Sequence, residues 1–255
     1  MLYCRFQSGD VMGWGVVEQH QIWEVTPDIF SEFEKTGRSF AMQDSRLLAP
    51  CVPSKIIAVG LNYKDHIAEF GRSEIPDEPV IFLKAPSAII GPDEPIRLPK
   101  GIGAVDYEAE LAVVISKKGR DIPEAAASEY ILGCTCMNDV SARVLQKKDI
   151  QWARSKSFDT FAPIGPWIAA GLPLQNLRVE SYLNGKIAQQ SSSKEMIFPV
   201  AKLVSFISRV MTLLPGDVIT TGTPNGVGPM KPGDVIEVFV EGVGKLRNPV
   251  KESEN

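Results

Sequence analysis

Residues 105–115, VDYEAELAVVI, constrain the fold of this chain more than any other stretch. Successive side chains on a strand point to opposite faces, so Glu108, Glu110, Ala112 and Val114 share one side. Tyr107, Ala109, Leu111, Val113 and Ile115 share the other. Both sides turn apolar after Glu110, which requires a strand covered on both faces inside a layered structure. Two carboxylates one residue apart at the end of such a strand repel each other and resist desolvation. They need a proton, an arginine or lysine, or a metal ion.

The rest of the chain supplies neighbours for that strand. VIFLK, ELAVVIS, YILGCTCM, RVESYLNG, DVITTG and DVIEVFV recur between Gly/Pro turns. The regular alternation of strand and long amphipathic helix expected of a doubly wound sheet is absent. The pattern predicts a mostly β chain of α+β type, with a few helices near 63–70, 140–150 and 199–212. PDIFSEFEKTG also reads as helical. Residues 1–50 read as a small N-terminal β-rich domain, and 51–255 as the main domain, with a soft boundary at the turn-rich LLAPCVPSK. PGDVI occurs at 215–219 and again at 232–236. Each copy reads as a Pro-Gly turn feeding a strand, at two similar edges of one sheet.

Composition removes several functions. The net charge is −4 and no Lys/Arg cluster reaches the density of a nucleic-acid or anionic-membrane footprint. The N-terminus has no apolar core and no segment is long enough to span a bilayer, so a cytoplasmic location is expected. Cys4, Cys51, Cys134 and Cys136 lack zinc-ribbon or redox-motif spacing, and the last two read as small core residues. Histidine is limited to His20 and His66. A metal site must therefore be built mainly from carboxylates, which favours Mg²⁺ or Mn²⁺ over structural zinc. GIGAVD precedes a strand instead of linking strand to helix, and TGTPNGVG lacks the Gly-Lys-Ser/Thr of a phosphate loop, so neither supports nucleotide binding.

A third acid completes the pair. In YILGCTCMNDVSARVLQ a strand ends near Met137 and Asp139 falls at a predicted helix start, where it is either a cap or a pocket acid. Asp139, Arg143 and Gln146 are spaced i, i+4, i+7 and would share one helix face. In NYKDHIAEFG, Tyr63, Ile67 and Phe70 have helical spacing and Gly71 would end the helix. His66 and Glu69 lie at i, i+3, either as a surface pair or as an imidazole oriented for general-base work. Lys156, in the aromatic- and proline-rich ARSKSFDTFAPIGPW, and Lys84 in FLKAP are either solvated or turned inward as anion partners.

VGLNYKDH, FLKAPSAIIGP, VDYEAELAVVI, NDVSAR, KSFDTFAPIGPW, LNGKIAQ, LLPGDVITTGTPNGVG and KPGDVIEV occur in that order between Lys55 and Val250. In this ordered set the chain resembles the fumarylacetoacetate hydrolase family, in particular its small bacterial-type members acting on 2-oxo and 2-hydroxy-dienoic acids. The resemblance implies a rolled, multilayered mixed β-sheet catalytic domain, a homodimer, and a small-molecule 2-oxo or 2-hydroxy-dienoic acid substrate. It implies a divalent ion, Mg²⁺ or in some members Mn²⁺ or Ca²⁺, held by Glu108, Glu110 and Asp139. It also implies a lid pair His66–Glu69, an active-site Lys156, and substrate contacts from Arg143, Gln146 and Thr223, with Lys84 assigned beside them. Leu61 stands where several acylpyruvate-cleaving relatives carry Arg, and the link GVGPMKPGD is shorter than in many relatives. One enolate would serve C–C hydrolysis of an acylpyruvate, tautomerisation of 2-hydroxyhepta-2,4-diene-1,7-dioate or oxaloacetate, or decarboxylation of oxaloacetate. The rival of another class is a non-catalytic β protein with a structural Ca²⁺ site.

Overall fold

The computed structural model describes residues 1–69 and 74–254. Its frame is a twelve-stranded mixed sheet. Ala109–Ile115 lies in its interior, antiparallel to Ile131–Asn138 on one side and to Val218–Thr220 on the other. Val218–Thr220 runs parallel to Ile56–Gly60, which pairs in turn with Val80–Lys84 at the sheet edge. In the other direction Ile131–Asn138 pairs with Ala162–Ala169, and Leu2–Ser8 continues the sheet into the N-terminal strands Val11–Glu18, Gln21–Thr26 and Glu34–Ala41.

The alternation in 109–115 sorts into two separate cores. Ala109, Leu111, Val113 and Ile115 pack with Leu203, Val204 and Ile207 of the helix Val200–Val210 and with Val238 and Val240 of a second, five-stranded sheet. Ala112 and Val114 pack instead with Val16, Val25 and Ile29 of the N-terminal segment. Each fully buried Leu, Ile or Val contributes about 1.5–3 kcal/mol, so both faces are held by substantial apolar burial. The protein is mostly β, in several mixed sheets with few helices. No helix among the described residues is long and apolar enough to cross a membrane.

The local structure corrects several expectations. The strand 105–115 is broken at Glu108 into Val105–Tyr107, which joins a three-stranded sheet, and Ala109–Ile115. Asp139 is not a helix start: Ser141–Ala142 forms a bridge strand first, and the helix is Arg143–Lys148. PDIFSEFEKTG is not helical. Asp28 Oδ1 accepts the N–H groups of Phe30 and Ser31 in a tight turn, Phe30 packs edge-on against Trp14, and Glu34–Ala41 is a largely exposed strand. The two PGDVI copies lie in different sheets, Val218–Thr220 in the large one and Val235–Val240 in the five-stranded one. What they share is a turn device. Asp217 and Asp234 each accept the N–H three residues earlier, from Leu214 and Lys231. The helix expected at 63–70 is Lys64–Glu69; Phe70 and Gly71 lie outside the described residues. All four cysteines are buried and free.

Candidate active site

Three chain segments end together at one end of the large sheet. Ala109–Ile115 begins there, beside the ends of Ile131–Asn138 and Val218–Thr220. Glu108 sits in the break between its two strands, and Asn138 fixes that break. Its Oδ1 accepts the Glu108 N–H at 2.9 Å, while the Glu108 carbonyl accepts the Asp139 N–H at 2.9 Å. Glu108, Glu110 and Asp139 each present one carboxylate oxygen, all within 4.8 Å of one another, and all three residues are buried.

Buried cations answer most of this charge, but not evenly. Lys156 Nζ donates to Glu108 at 2.9 Å and to Asp139 at 2.6 Å. Lys84 Nζ bonds the other Asp139 oxygen, and Arg143 reaches Glu108 at 2.6 Å and Asp106 at 2.7 Å. Burial alone would push Glu108 up, yet Lys156, Arg143 and His66 hold it well below the usual carboxylate range. Lys156 is likewise held above its ordinary value against the effect of burial, by Asp139 and Glu108. Lys84 is driven down by burial despite Asp139.

Glu110 is the uncompensated member. Its Oε2 accepts the Thr220 hydroxyl and, at 2.8 Å, the Gly222 N–H; among the described residues no cation pairs with it. Burial, then the charges of Asp139 and Glu108, push it well above its ordinary value. A carboxylate in that position is favoured by a hard cation placed among the three acids. An all-oxygen donor set fits Mg²⁺ or Mn²⁺. The residues present therefore fit a divalent ion.

A pocket of about 320 Å³ opens over the acids. Val59, Gly60, Leu61, Phe82 and Trp152 give it an apolar wall. Phe82 and Trp152 meet edge-on at 5.1 Å, and Lys156 Nζ lies 5.1 Å from the Phe82 ring centre. The missing side chain of Gly60 lets the Trp152 ring close on this wall, since a Cβ there would stand 2.7 Å from it. His66, on the helix Lys64–Glu69, faces the pocket with Nδ1 3.1 Å from Glu69 Oε2. The other Glu69 oxygen accepts the Gly226 N–H at 2.9 Å. Gly226 has φ +93°, and a Cβ there would strike the Ala188 carbonyl, so only glycine presents that N–H so close. Asn62 anchors the start of the helix. Its amide donates to the Phe198 and Thr221 carbonyls and accepts the Phe198 N–H.

Of the residues singled out in the sequence, His66, Glu108, Glu110, Asp139, Arg143, Gln146, Lys156 and Thr223 line this one pocket, with Glu69 behind His66. Lys84 does not reach the wall; it lies beneath Asp139 and also donates to the Val140 carbonyl. Lys156 is not a loop lysine but ends the short helix Ala153–Lys156 and is 2 % exposed. The shared helix face is Arg143 and Gln146, whose side chains bond at 2.8 Å, without Asp139. The Thr223 hydroxyl donates to the Ala109 carbonyl and accepts from Gln189, leaving little to offer a ligand. Sequence reasoning missed Asp106, Thr220 and the Gly222 N–H. It also missed Gln189, whose side chain joins the Ala109 N–H, Ser181, Thr223 and the Pro224 carbonyl. Asp106 was within reach, as an acid two residues before Glu108; a hydroxyl or amide far along the chain carries no comparable signal.

Known proteins resemble this chain in sequence and in fold. The family profile described as Fumarylacetoacetate (FAA) hydrolase C-terminal matches residues 55–251, and one described as Rv2993c-like, N-terminal, matches residues 1–50. The crystal structure of 5-carboxymethyl-2-hydroxymuconate delta-isomerase from Mycobacterium smegmatis is 45% identical, with a TM-score of 0.94 over 99% of this chain and 100% of that one. The mitochondrial oxaloacetate tautomerase fahd2 of Xenopus laevis is 42% identical over 217 residues, 80% of this chain and 68% of that protein. A more distant structure, maleylpyruvate hydrolase from Sphingobium sp. SYK-6 with manganese(II) and pyruvate, is 27% identical, with a TM-score of 0.81 over the whole of both chains. With its profile match spanning most of the chain and its carboxylate cluster at the end of the sheet, this chain belongs to the fumarylacetoacetate hydrolase family.

Proposed function

We propose that this chain is a divalent-metal-dependent enzyme acting on a small 2-oxo acid through its enolate, and that it hydrolyses a C–C bond in an acylpyruvate-type substrate. The observation that carries this reading is the His66–Glu69 pair facing a pocket floored by three acids. With Nδ1–H donated to Glu69, the lone pair sits on Nε2, the nitrogen suited to take a proton.

A divalent ion held by Glu108, Glu110 and Asp139 would supply Lewis-acid stabilisation of negative charge on the 2-oxo group. Arg143 spends Nη1 on both Glu108 and the Gln146 carbonyl, which turns the Gln146 amide N–H groups outward to hold the substrate carboxylate. His66 takes a proton from water as the water oxygen adds to the distal carbonyl carbon. The bond from that carbon to the pyruvyl methylene breaks, and its electron pair stays with the pyruvyl half. Lys156, on the pocket wall, stabilises the oxyanion formed by that addition with a hydrogen bond and keeps its proton. Return of the proton from His66 to the methylene carbon yields pyruvate and a carboxylic acid.

A second reading, tautomerisation by proton transfer at carbon without water, is favoured by the likeness to an isomerase and a tautomerase. Product masses from an acylpyruvate and from oxaloacetate with Mg²⁺, in ¹⁸O-water and in parallel in D₂O, separate the two. Hydrolysis places ¹⁸O in the released acid, and His66→Ala slows that step about a hundredfold or more while keeping the metal-induced rise in Tm. Deuterium exchange at carbon without cleavage would establish tautomerisation instead, and unchanged cleavage in His66→Ala would remove His66 from the reaction.

A further inference from the structure

The helix Arg143–Lys148 turns three side chains to the pocket, Arg143, Gln146 and Lys147, at i, i+3 and i+4. Two of them are already engaged. Arg143 is bound to Asp106 and Glu108, and Gln146 gives its carbonyl to Arg143. The other lining lysine, Lys156, is bound to Glu108 and Asp139. Lys147 differs. It stands exposed at the mouth, and among the described residues no carboxylate pairs with it. Asp149, the next acid along the chain, is taken by a two-pronged bond from Arg154. Among the described residues, Lys147 is thus the lysine or arginine lining the pocket whose charge meets no carboxylate, on the same helix face as the residues assigned to the substrate carboxylate.

The lining of the pocket is also graded in exposure. Among its lining residues the acids and Arg143 are buried, Leu61, Phe82 and Trp152 are half-buried, and Lys147 is exposed. A ligand whose 2-oxo end sits on the buried acids extends its far end towards the exposed part of the lining, where Lys147 stands. We propose that Lys147 is a specificity-determining residue that pairs with a second anionic group at the far end of the substrate, so that the site selects 2-oxo acids with two carboxylates over those with one. This rests on the reading of the pocket as a 2-oxo acid site. A rim charge of this kind acts on binding and its salt dependence more than on the chemical step.

The test uses two ligands of equal length, 2-oxoglutarate and 2-oxopentanoate, which differ in a terminal carboxylate against a methyl group. Calorimetric titration into the Mn²⁺-loaded protein should show tighter binding of 2-oxoglutarate. Lys147→Gln should weaken 2-oxoglutarate by about two- to fivefold, the range for a charge pair at the edge of solvent, and leave 2-oxopentanoate unchanged. Added salt should weaken 2-oxoglutarate in the wild type more than in the variant. Equal loss for both ligands, or no loss for either, overturns the assignment of Lys147 while leaving the 2-oxo acid site standing. If the loaded wild type binds neither ligand, the reading of the site fails and this inference with it. An unchanged Tm in Lys147→Gln shows that the variant is folded.

Discussion

Asp217 and Glu110 are both buried acids beside the same strand, Val218–Thr220, one at each end, and the protein treats them in opposite ways. Asp217 is completely enclosed and fully answered. Its Oδ1 accepts from the Ser54 N–H, the Ser54 hydroxyl and the Lys55 N–H; its Oδ2 accepts from the Leu214 N–H and pairs with the Lys55 ammonium. Glu110 receives a hydroxyl and one N–H on a single oxygen and faces two further carboxylates. Burial of an acid is therefore no mark of function by itself. The mark is a buried acid whose own chain leaves charge and hydrogen-bonding capacity unmet, because a guest must then supply them.

Substitution should pull these two acids apart. Removing Asp217 leaves the Lys55 ammonium and several N–H groups without their acceptor, so Asp217→Ala should cost about 3–5 kcal/mol of stability in denaturant unfolding, with the rise in Tm on adding Mg²⁺ retained. Glu110→Gln should do the reverse. The neutral amide keeps an acceptor for Thr220 and Gly222 but removes the repulsion with Glu108 and Asp139, so the metal-free Tm should rise. Affinity for Mn²⁺ should fall at least about tenfold, as expected when a metal site is disturbed. A metal-free Glu110→Gln protein less stable than the wild type would show that Glu110 is a structural acid like Asp217, and would end the contrast.

The contrast explains what the sequence could and could not disclose. The strand 109–115 was legible because its alternation has a period of two and both faces are apolar, a pattern few other elements can carry. The three acids and His66 were legible as residue types in ordered blocks. The ties that hold them were not. Asn138, Thr220 and Gln189 act through single hydrogen bonds between segments far apart in the chain, and no local periodicity encodes such contacts. The same holds for PDIFSEFEKTG, where an apolar spacing suited to a helix serves instead to place Phe30 against Trp14. Helix propensity there yields to the side-chain turn at Asp28 and to tertiary packing. Lys84 and Lys156 were ambiguous because a lysine's fate depends on whether acids converge on it, which only the folded sheet decides.

Dependence on pH sharpens the comparison with a smaller effect. In the metal-free protein the Glu110 carboxyl holds its proton to a higher pH than in the unfolded chain. As pH rises from the ordinary carboxylate range through that raised value, the unfolded chain releases a proton the folded one keeps, so stability falls. Glu108 works the other way, its stabilising contribution being present above the ordinary range and lost as pH falls towards its lowered value. Thermal unfolding without metal, followed upward from about pH 5, should show a decline that Glu110→Gln abolishes. Mg²⁺ should also oppose the decline, because proton and metal compete for the same oxygens. A decline that persists in Glu110→Gln would assign it to another group.

The pocket leaves space open as Glu110 leaves charge open, and Gly60 tests whether that space is needed. The position lies at the end of Ile56–Gly60, outside the left-handed region, so alanine is compatible with its backbone. The added methyl would meet Trp152, a half-buried side chain free to swing outward, so the cost in stability should stay near about 1 kcal/mol. Displacing Trp152 would alter the apolar wall while leaving the three acids and His66 in place. Gly60→Ala should therefore raise KM for the longer substrates by a few fold and change kcat, metal affinity and the pH profile little. An equal loss for short and long substrates would mean that Trp152 serves the reacting end of the pocket, and that the wall and the acid floor are one functional unit.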